Sequence, residues 1–330
     1  MANVRKGRID KLDEDDVRIR PSRSTRPRTK DRPTHAGAIR AQVITVDRGR
    51  VTCIDENGAQ IDAMKARELG RRSIAVGDWV GVIGDSESLA RVVRVETRKN
   101  ALRRSVEDGS ERTIVANVDY LIIVSAAANP DPRTGFIDRA LVAAYTEDIQ
   151  PIIVMTKSDL ADPKEFLKQY GALHIPNFST NKFSPDGELA NLIAGKVSVF
   201  IGHSGVGKST LINTLSPEFR RETGEVNEVT GRGRHTSSSA IAFKLATGGW
   251  VIDTPGVRSF GLSHVSRVEI IAAFPDLNEV VTDCQKNCSH DEDECKLNIW
   301  QVESSDEVEN LERTGRVANL RRILASLDEN

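Results

Sequence analysis

The sequence predicts a multidomain α/β protein: an N-terminal OB-like β-barrel, a middle domain with a parallel sheet covered by helices on both faces, and a C-terminal helical domain carrying a Cys/His cluster. Three observations carry this expectation. Short apolar/polar alternations punctuated by turn residues fill positions 39–98, and longer β-rich apolar runs alternate with helical spacing from Arg112 onward. Near the end, Cys284, Cys288, His290 and Cys295 fall within twelve residues.

At 330 residues the chain exceeds one average domain. Hydrophobic residues at 38% and charged residues at 28% describe an ordinary globular composition. No apolar run approaches the roughly 20 residues a membrane span needs, and the charged N-terminus lacks an apolar signal core. A cytoplasmic protein with no membrane contact is therefore expected. The net charge of −2 is unevenly spread: residues 1–40 hold twelve Lys/Arg against six Asp/Glu, which leaves −8 on the remainder. Between Arg18 and Arg32 the basic residues alternate with Pro, Ser and Thr, a composition that cannot bury apolar surface. Residues 1–37 are read as a basic disordered arm of the kind that contacts nucleic acid, a solvated tail being the alternative.

The barrel is assigned to 38–104. Its expected strands are Ala41–Val46, Val51–Ile54, Gln60–Met64, Asp78–Ile83 and Arg91–Val95, with Asn57-Gly58 as a hairpin signal. Five short strands in about sixty residues suit an OB-fold. Such barrels often bind RNA, but Trp79 is the only aromatic residue here, so a core role for it is the alternative. The basic run Arg98-Lys99-Asn100-Ala101-Leu102-Arg103-Arg104 links the barrel to the middle domain, 105–275. There, strands are expected at Val118–Val124 and Pro151–Met155, and helices at Phe136–Tyr145 and Pro163–Tyr170. Strand, helix, strand in this order means a parallel sheet.

The middle domain is organised around Gly202-His203-Ser204-Gly205-Val206-Gly207-Lys208-Ser209, which fits G-x-x-x-x-G-K-[ST]. It follows the apolar strand Val197–Ile201 and opens a helix at Ser209-Thr210, the context that makes the pattern a phosphate-binding loop. Backbone N–H groups and the helix N-terminus face phosphate oxygens, Lys208 reaches the β- and γ-phosphates, and Ser209 holds Mg²⁺. Ligands of such sheets bind beyond the carboxyl ends of the strands. One such end is Thr156-Lys157-Ser158-Asp159, which resembles the guanine-recognition motif Asn/Thr-Lys-x-Asp of GTPases. Guanine offers N1–H and N2–H₂ as adjacent donors, and the Asp159 carboxylate can accept both. Another end is Ser179-Thr180, where GTPases back the base with a small polar loop; a plain surface loop is the alternative. The expected strand Gly249–Ile252 runs into Asp253-Thr254-Pro255-Gly256, a D-x-x-G arrangement in which Asp253 would hold Mg²⁺ through water and the Gly256 N–H would sense the γ-phosphate. The polar stretch 217–239 supplies Thr236, or second Ser237, as the mobile residue of the Mg²⁺ shell.

The order of these parts is unusual. The base-recognition motif precedes the phosphate loop, whereas ordinary GTPases place it last, and a circular permutation accounts for this because every motif still lies on one rim of the sheet. With this order, the barrel and the Cys/His cluster, the chain from about residue 38 resembles the circularly permuted, ribosome small subunit-dependent GTPases (the RsgA, or YjeQ, family). The resemblance implies a GTP hydrolase that binds the small (30S) ribosomal subunit and its 16S rRNA late in maturation, a monomer whose GTP or GDP state times release. It also implies that His235, just before Thr236, organises the attacking water; Val257 stands where many GTPases carry glutamine.

Cys₃His is a closed structural zinc set. The gaps between ligands look one residue tighter than is usual for the resembling family. Beyond the cluster, Leu320, Ile323, Leu324 and Leu327 share one helical face with Arg313, Arg316, Arg321 and Arg322 nearby, so that helix docks on the core or on RNA. Two other functional classes stay open in the sequence: an RNA-binding module with a structural nucleotide site, and an ATP-dependent kinase, against which Asp159 argues. A GTPase serving another RNA or protein client is a further alternative.

Overall fold

The expected barrel strands all form, in a computed structural model that describes residues 35–47, 49–69, 74–84, 90–105, 111–182, 187–216, 240–254 and 265–328. They are β1 (Ile39–Asp47), β2 (Arg50–Asp55), β3 (Gln60–Lys65), β4 (Trp79–Ile83) and β5 (Ala90–Val95). The barrel closes through β1–β2–β3–β5–β4 and back to β1, with β3 and β5 parallel and the other pairs antiparallel. Alternate residues fill its interior, among them Ala41, Val43, Val51, Cys53, Val80 and Val92. Burial pushes the Cys53 thiol up to about 12, so it is an inert core residue. Trp79 is half-buried and carries the Arg40 guanidinium 3.8 Å from its ring centroid, which places it on the barrel wall and not in the centre.

A hairpin of β6 (Ala101–Ser105) and β7 (Glu111–Ala116) follows the barrel, a feature not expected from the basic run. The middle domain then lays down β8 (Tyr120–Ala126), α1 (Thr134–Thr146), β9 (Gln150–Thr156), α2 (Lys164–Lys168), β10 (Asn177–Ser179), α3 (Gly187–Leu192), β11 (Val197–Ile201), α4 (Lys208–Leu215), β12 (Ile241–Lys244) and β13 (Trp250–Asp253). Helix α2 is shorter than the expected Pro163–Tyr170; it stops at Lys168, and the chain continues into a 3-10 turn at Gly171–Leu173. Strands β10, β9, β8, β11 and β13 are mutually parallel in that order, and β12 adds an antiparallel edge. Alternation along the strands feeds two cores. Leu121, Ile123, Val199 and Ile153 pack with α1, while Ile122, Val124, Phe200 and Ile152 pack with Leu189, Ile193, Leu211 and Ile212 from α3, α4 and their ends. Helices therefore cover both faces, as a parallel sheet requires.

The barrel and this sheet are continuous. Strand β1 pairs with β12 at Thr45–Ile241, so eleven strands form one hydrogen-bonded sheet. A seam of side chains reinforces the join: fully buried Asp78 receives Arg98 Nε at 2.7 Å and Nη2 at 2.9 Å, and Arg98 Nη1 donates to Thr113 Oγ1 at 3.1 Å. Asn117 donates to the Gly77 carbonyl at 2.9 Å, and Asn100 exchanges two 2.8 Å hydrogen bonds with the backbone of Val118.

After β13 come α5 (Arg267–Ala272), α6 (Pro275–Val281), α7 (Lys296–Trp300) and α8 (Glu307–Asp328). A capping box at Ser266 and Glu269 starts α5, and Pro275 at the first turn starts α6. Helix α8 docks on the core: Val317, Leu320, Ile323 and Leu324 are buried in the cluster that holds α1. Its arginines are spent internally, Arg316 on Asp276 (2.5 and 2.6 Å), Arg322 on Asp138 (2.7 Å), Arg321 on the His290 carbonyl (2.8 Å) and Arg313 on the Trp300 carbonyl (2.9 Å). No helix among the described residues is long and apolar enough to cross a membrane. The basic arm lies outside the described residues except for its last positions.

Candidate nucleotide site and metal cluster

The turn between β11 and α4 has the shape its glycines dictate. A Cβ at Gly202 would stand 2.6 Å from the Val124 carbonyl oxygen, and Gly207 caps α4 in the left-handed region at φ +89°. Between them Val206 is buried, His203 packs its ring 4.4 Å from the Phe136 ring, and Ser204 and Gly205 are exposed. Lys208 begins α4, and its ammonium pairs with Asp253 Oδ1 at the end of β13. Both side chains are largely buried, so the pair lies in a low-dielectric setting where charge is felt strongly. Ser209 and Thr210 are exposed on the first turn of α4.

On the other side of Gly207 lies a cavity of about 320 Å³, lined by Thr156, Lys157, Asp159, Thr180, Gly207 and Thr210 among others. The Thr156 hydroxyl donates to the Val206 carbonyl and lies 3.2 Å from the Ser125 carbonyl, tying the end of β9 to the phosphate loop. Lys157, at φ +55°, directs its ammonium to the Asn129 carbonyl. Asp159 is exposed at the cavity wall. The Thr180 N–H donates to the Met155 carbonyl at 2.8 Å, and its own carbonyl accepts from the Ser158 N–H at 3.3 Å, which folds the two loops against each other. Ser179 is exposed as the last residue of β10. Leu160, Asn181 and Lys182 also line the cavity and were not singled out from the sequence, although each lies within two residues of a motif. The residues read from the ends of β9, β10, β11 and β13 thus converge on one rim. His235, Thr236, Ser237, Gly256 and Val257 lie outside the described residues.

The Cys/His cluster forms a separate centre at the start of α7. One ligand atom from each of Cys284, Cys288, His290 and Cys295 lies within 4.8 Å of all the others. Cys284 Sγ and Cys295 Sγ are 3.8 Å apart, and Cys295 Sγ is 3.9 Å from His290 Nδ1. With metal–sulfur bonds of about 2.3 Å, two sulfurs of a zinc tetrahedron are about 3.8 Å apart, so the donor set fits the ion. Asn287 and His290 adopt positive φ (+65° and +68°), which closes the tight gaps. Burial lowers the His290 pKa and favours the neutral imidazole a metal needs. Glu292 is held at about 2 by the Ser289 N–H and then by the Cys288 thiol, which donates to it at 3.1 Å.

A phosphate loop at the centre of a parallel sheet, with the base motif upstream and D-x-x-G downstream, defines a circularly permuted GTPase. The chain belongs to the RsgA GTPase family, whose sequence model matches residues 95–263. Among its relatives, the small ribosomal subunit biogenesis GTPase RsgA of Pseudomonas fluorescens Pf-5 is 35% identical over 268 residues, covering 78% of this chain and 76% of the relative. The protein of the same name from Pseudomonas aeruginosa LESB58 is 35% identical over 267 residues, covering 78% and 77%. YjeQ from Thermotoga maritima superposes with a TM-score of 0.61 at 27% identity, covering 86% of this chain and 98% of that one. The circularly permuted GTPase YloQ gives 0.60 at 24% identity, covering 88% and 98%, a likeness of fold.

Proposed function

We propose that this GTPase acts on the small ribosomal subunit late in its maturation, holding 16S rRNA through the barrel and the Cys/His domain, with GTP or GDP state timing release. The names of the Pseudomonas relatives support the partner. The observation that carries the nucleotide chemistry is the meeting of Asp159 and the Lys208–Asp253 pair on one rim, on either side of Gly207. Asp159 accepts N1–H and N2–H₂ of guanine, with Thr156, Lys157, Ser179 and Thr180 shaping the base site. Gly202 to Gly207 present backbone N–H groups to the phosphates, and Lys208 neutralises their charge. Ser209, Asp253 and Thr236 are suited to hold Mg²⁺, which would supply positive charge to offset that of the phosphates. His235 orients water and Gly256 reads the γ-phosphate. Cys284, Cys288, His290 and Cys295 hold one structural Zn²⁺ that fixes the C-terminal helices. The protein works as a cytoplasmic monomer.

The test is phosphate release with and without purified small ribosomal subunits. The parent should be stimulated by the subunit, Lys208→Ala should lose turnover, and His235→Ala should keep GTP binding while losing stimulated turnover. Equal rates with and without subunits would sink the ribosomal reading.

A further inference from the structure

The basic run between barrel and sheet is used by neither the nucleotide site nor the metal centre, and the structure sorts its members. Arg98 is consumed by buried Asp78, Lys99 pairs with Asp119 at 3.1 Å, and Arg103 pairs with Glu147 at 3.2 Å. Arg104 remains. In the β6–β7 register it stands directly opposite Arg112, and neither makes an ion pair or side-chain hydrogen bond to a described residue. Directly opposed like charges destabilise a strand pair unless an anion lies between them. Both arginines also line a cavity of about 50 Å³ at the junction of barrel and sheet, floored by Val46, Val76 and Ile114 and bordered by Ala240. That volume is far below the roughly 300 Å³ or more of small-molecule pockets, so it suits one anionic group and not a base or nucleotide.

We propose that Arg104 and Arg112 form a phosphate seat that grips the RNA backbone of the partner at the junction between barrel and nucleotide sheet. The inference rests on the ribosomal reading above for its partner. Guanidinium forks match phosphate geometry, and two of them on one face hold a phosphate without reading sequence. Because the chain beyond residue 40 carries −8, RNA approach depends on local cationic points of this kind. Ala240, at the edge of the seat, immediately precedes β12, the strand that pairs with β1.

The experiment measures binding of the full-length protein, with a non-hydrolysable GTP analogue, to small ribosomal subunits and separately to a mixed-sequence RNA duplex across a KCl series. Each phosphate contact adds about 0.7–0.9 to the slope of log affinity against log salt. The Arg104→Gln/Arg112→Gln variant should bind both probes more weakly and show a slope smaller by about one, while Arg104→Lys/Arg112→Lys keeps the slope. Unchanged basal GTP hydrolysis establishes that the Gln variant is folded. An unchanged slope overturns the proposal, even if affinity falls. A slope lost on subunits but kept on the duplex also overturns it and points to an acidic protein instead. A parent that ignores subunits sinks the ribosomal reading separately, and the duplex series still decides the seat.

Discussion

Asp159 and Thr156 sit five and two residues from a fully buried strand position, Val154, yet they do different work. Asp159 is exposed and free to meet a base, so its replacement should be felt in affinity and not in stability. Asp159→Asn is expected to weaken GTP by about 2 kcal/mol, on the order of thirty-fold, because a charged acceptor of two hydrogen bonds is lost; competition binding with GTP and ATP reads this directly. Thr156 is buried, and its hydroxyl joins two loops. Thr156→Val keeps the shape and strands the Val206 carbonyl, at a cost of about 1–3 kcal/mol. Both the melting temperature and GTP affinity should fall, with Thr156→Ser restoring them; a Val variant with parental values of both would refute the link. The T-K-x-D letters announced a carboxylate at the end of β9 suited to reading a base. They could not announce that the threonine holds the phosphate loop, because the partner atom is fifty positions away.

At the scale of elements, two attachments decide how the parts are held. The Asp78–Arg98 pair fastens the barrel to the β6–β7 hairpin, and Asp78 also accepts from the Ala75 N–H at 2.8 Å. Removing one partner of such a pair leaves a buried charge, so Arg98→Ala is expected to destabilise the protein by about 3–5 kcal/mol, measured by denaturant unfolding. Helix α8 is held by Asp276–Arg316. Burial alone would raise the Asp276 pKa, but the Arg316 guanidinium outweighs it and holds the carboxyl below its usual value. A depressed carboxylate contributes stability that is present above its unfolded pKa, near 4, and is lost as pH falls through the folded value. The parent should therefore lose more thermal stability between pH 5 and pH 3 than Asp276→Asn does. Equal losses would remove this pair from the account of acid sensitivity. Strands β9, β11 and β13 were legible because each is predominantly apolar and β-rich. Strand β12 and the β6–β7 hairpin were not: four residues, Ile241 to Lys244, are too few to show a period, and charged Arg103 and Arg104 mask the hairpin.

For the whole molecule, the continuity of the eleven-stranded sheet means that the barrel extends the nucleotide-binding sheet through β1 and β12. The C-terminal helices are equally committed: Leu277, Cys295, Leu297 and Leu320 belong to the same apolar cluster as Ile137 and Leu141 of α1. Deleting 276–330 would strip this cover from the core, so the contribution of that domain is better tested at its Cys/His cluster. The protein should purify with one zinc per chain by atomic absorption. Cys295→Ser, at a buried ligand position, should lose the ion and lower the melting temperature, with faster proteolysis confined to the segment beyond residue 265. A variant that loses zinc without any change in stability would mean that the cluster has no structural role.

By itself the sequence determined the kind of site and its permuted order. The G-x-x-x-x-G-K-S, T-K-x-D and D-x-x-G motifs are contiguous pieces of chain whose chemistry is set by local backbone shape and residue type. The Cys/His cluster was legible for the same reason, since its four members lie within twelve residues. Only the tertiary structure decided where the charges go. The same letters, Arg, describe a residue sealed against Asp78, one docked on Asp276 and one left facing its own kind at Arg112. Charge acts through space, and its partners stand twenty, forty or more positions away, so no window of sequence contains them.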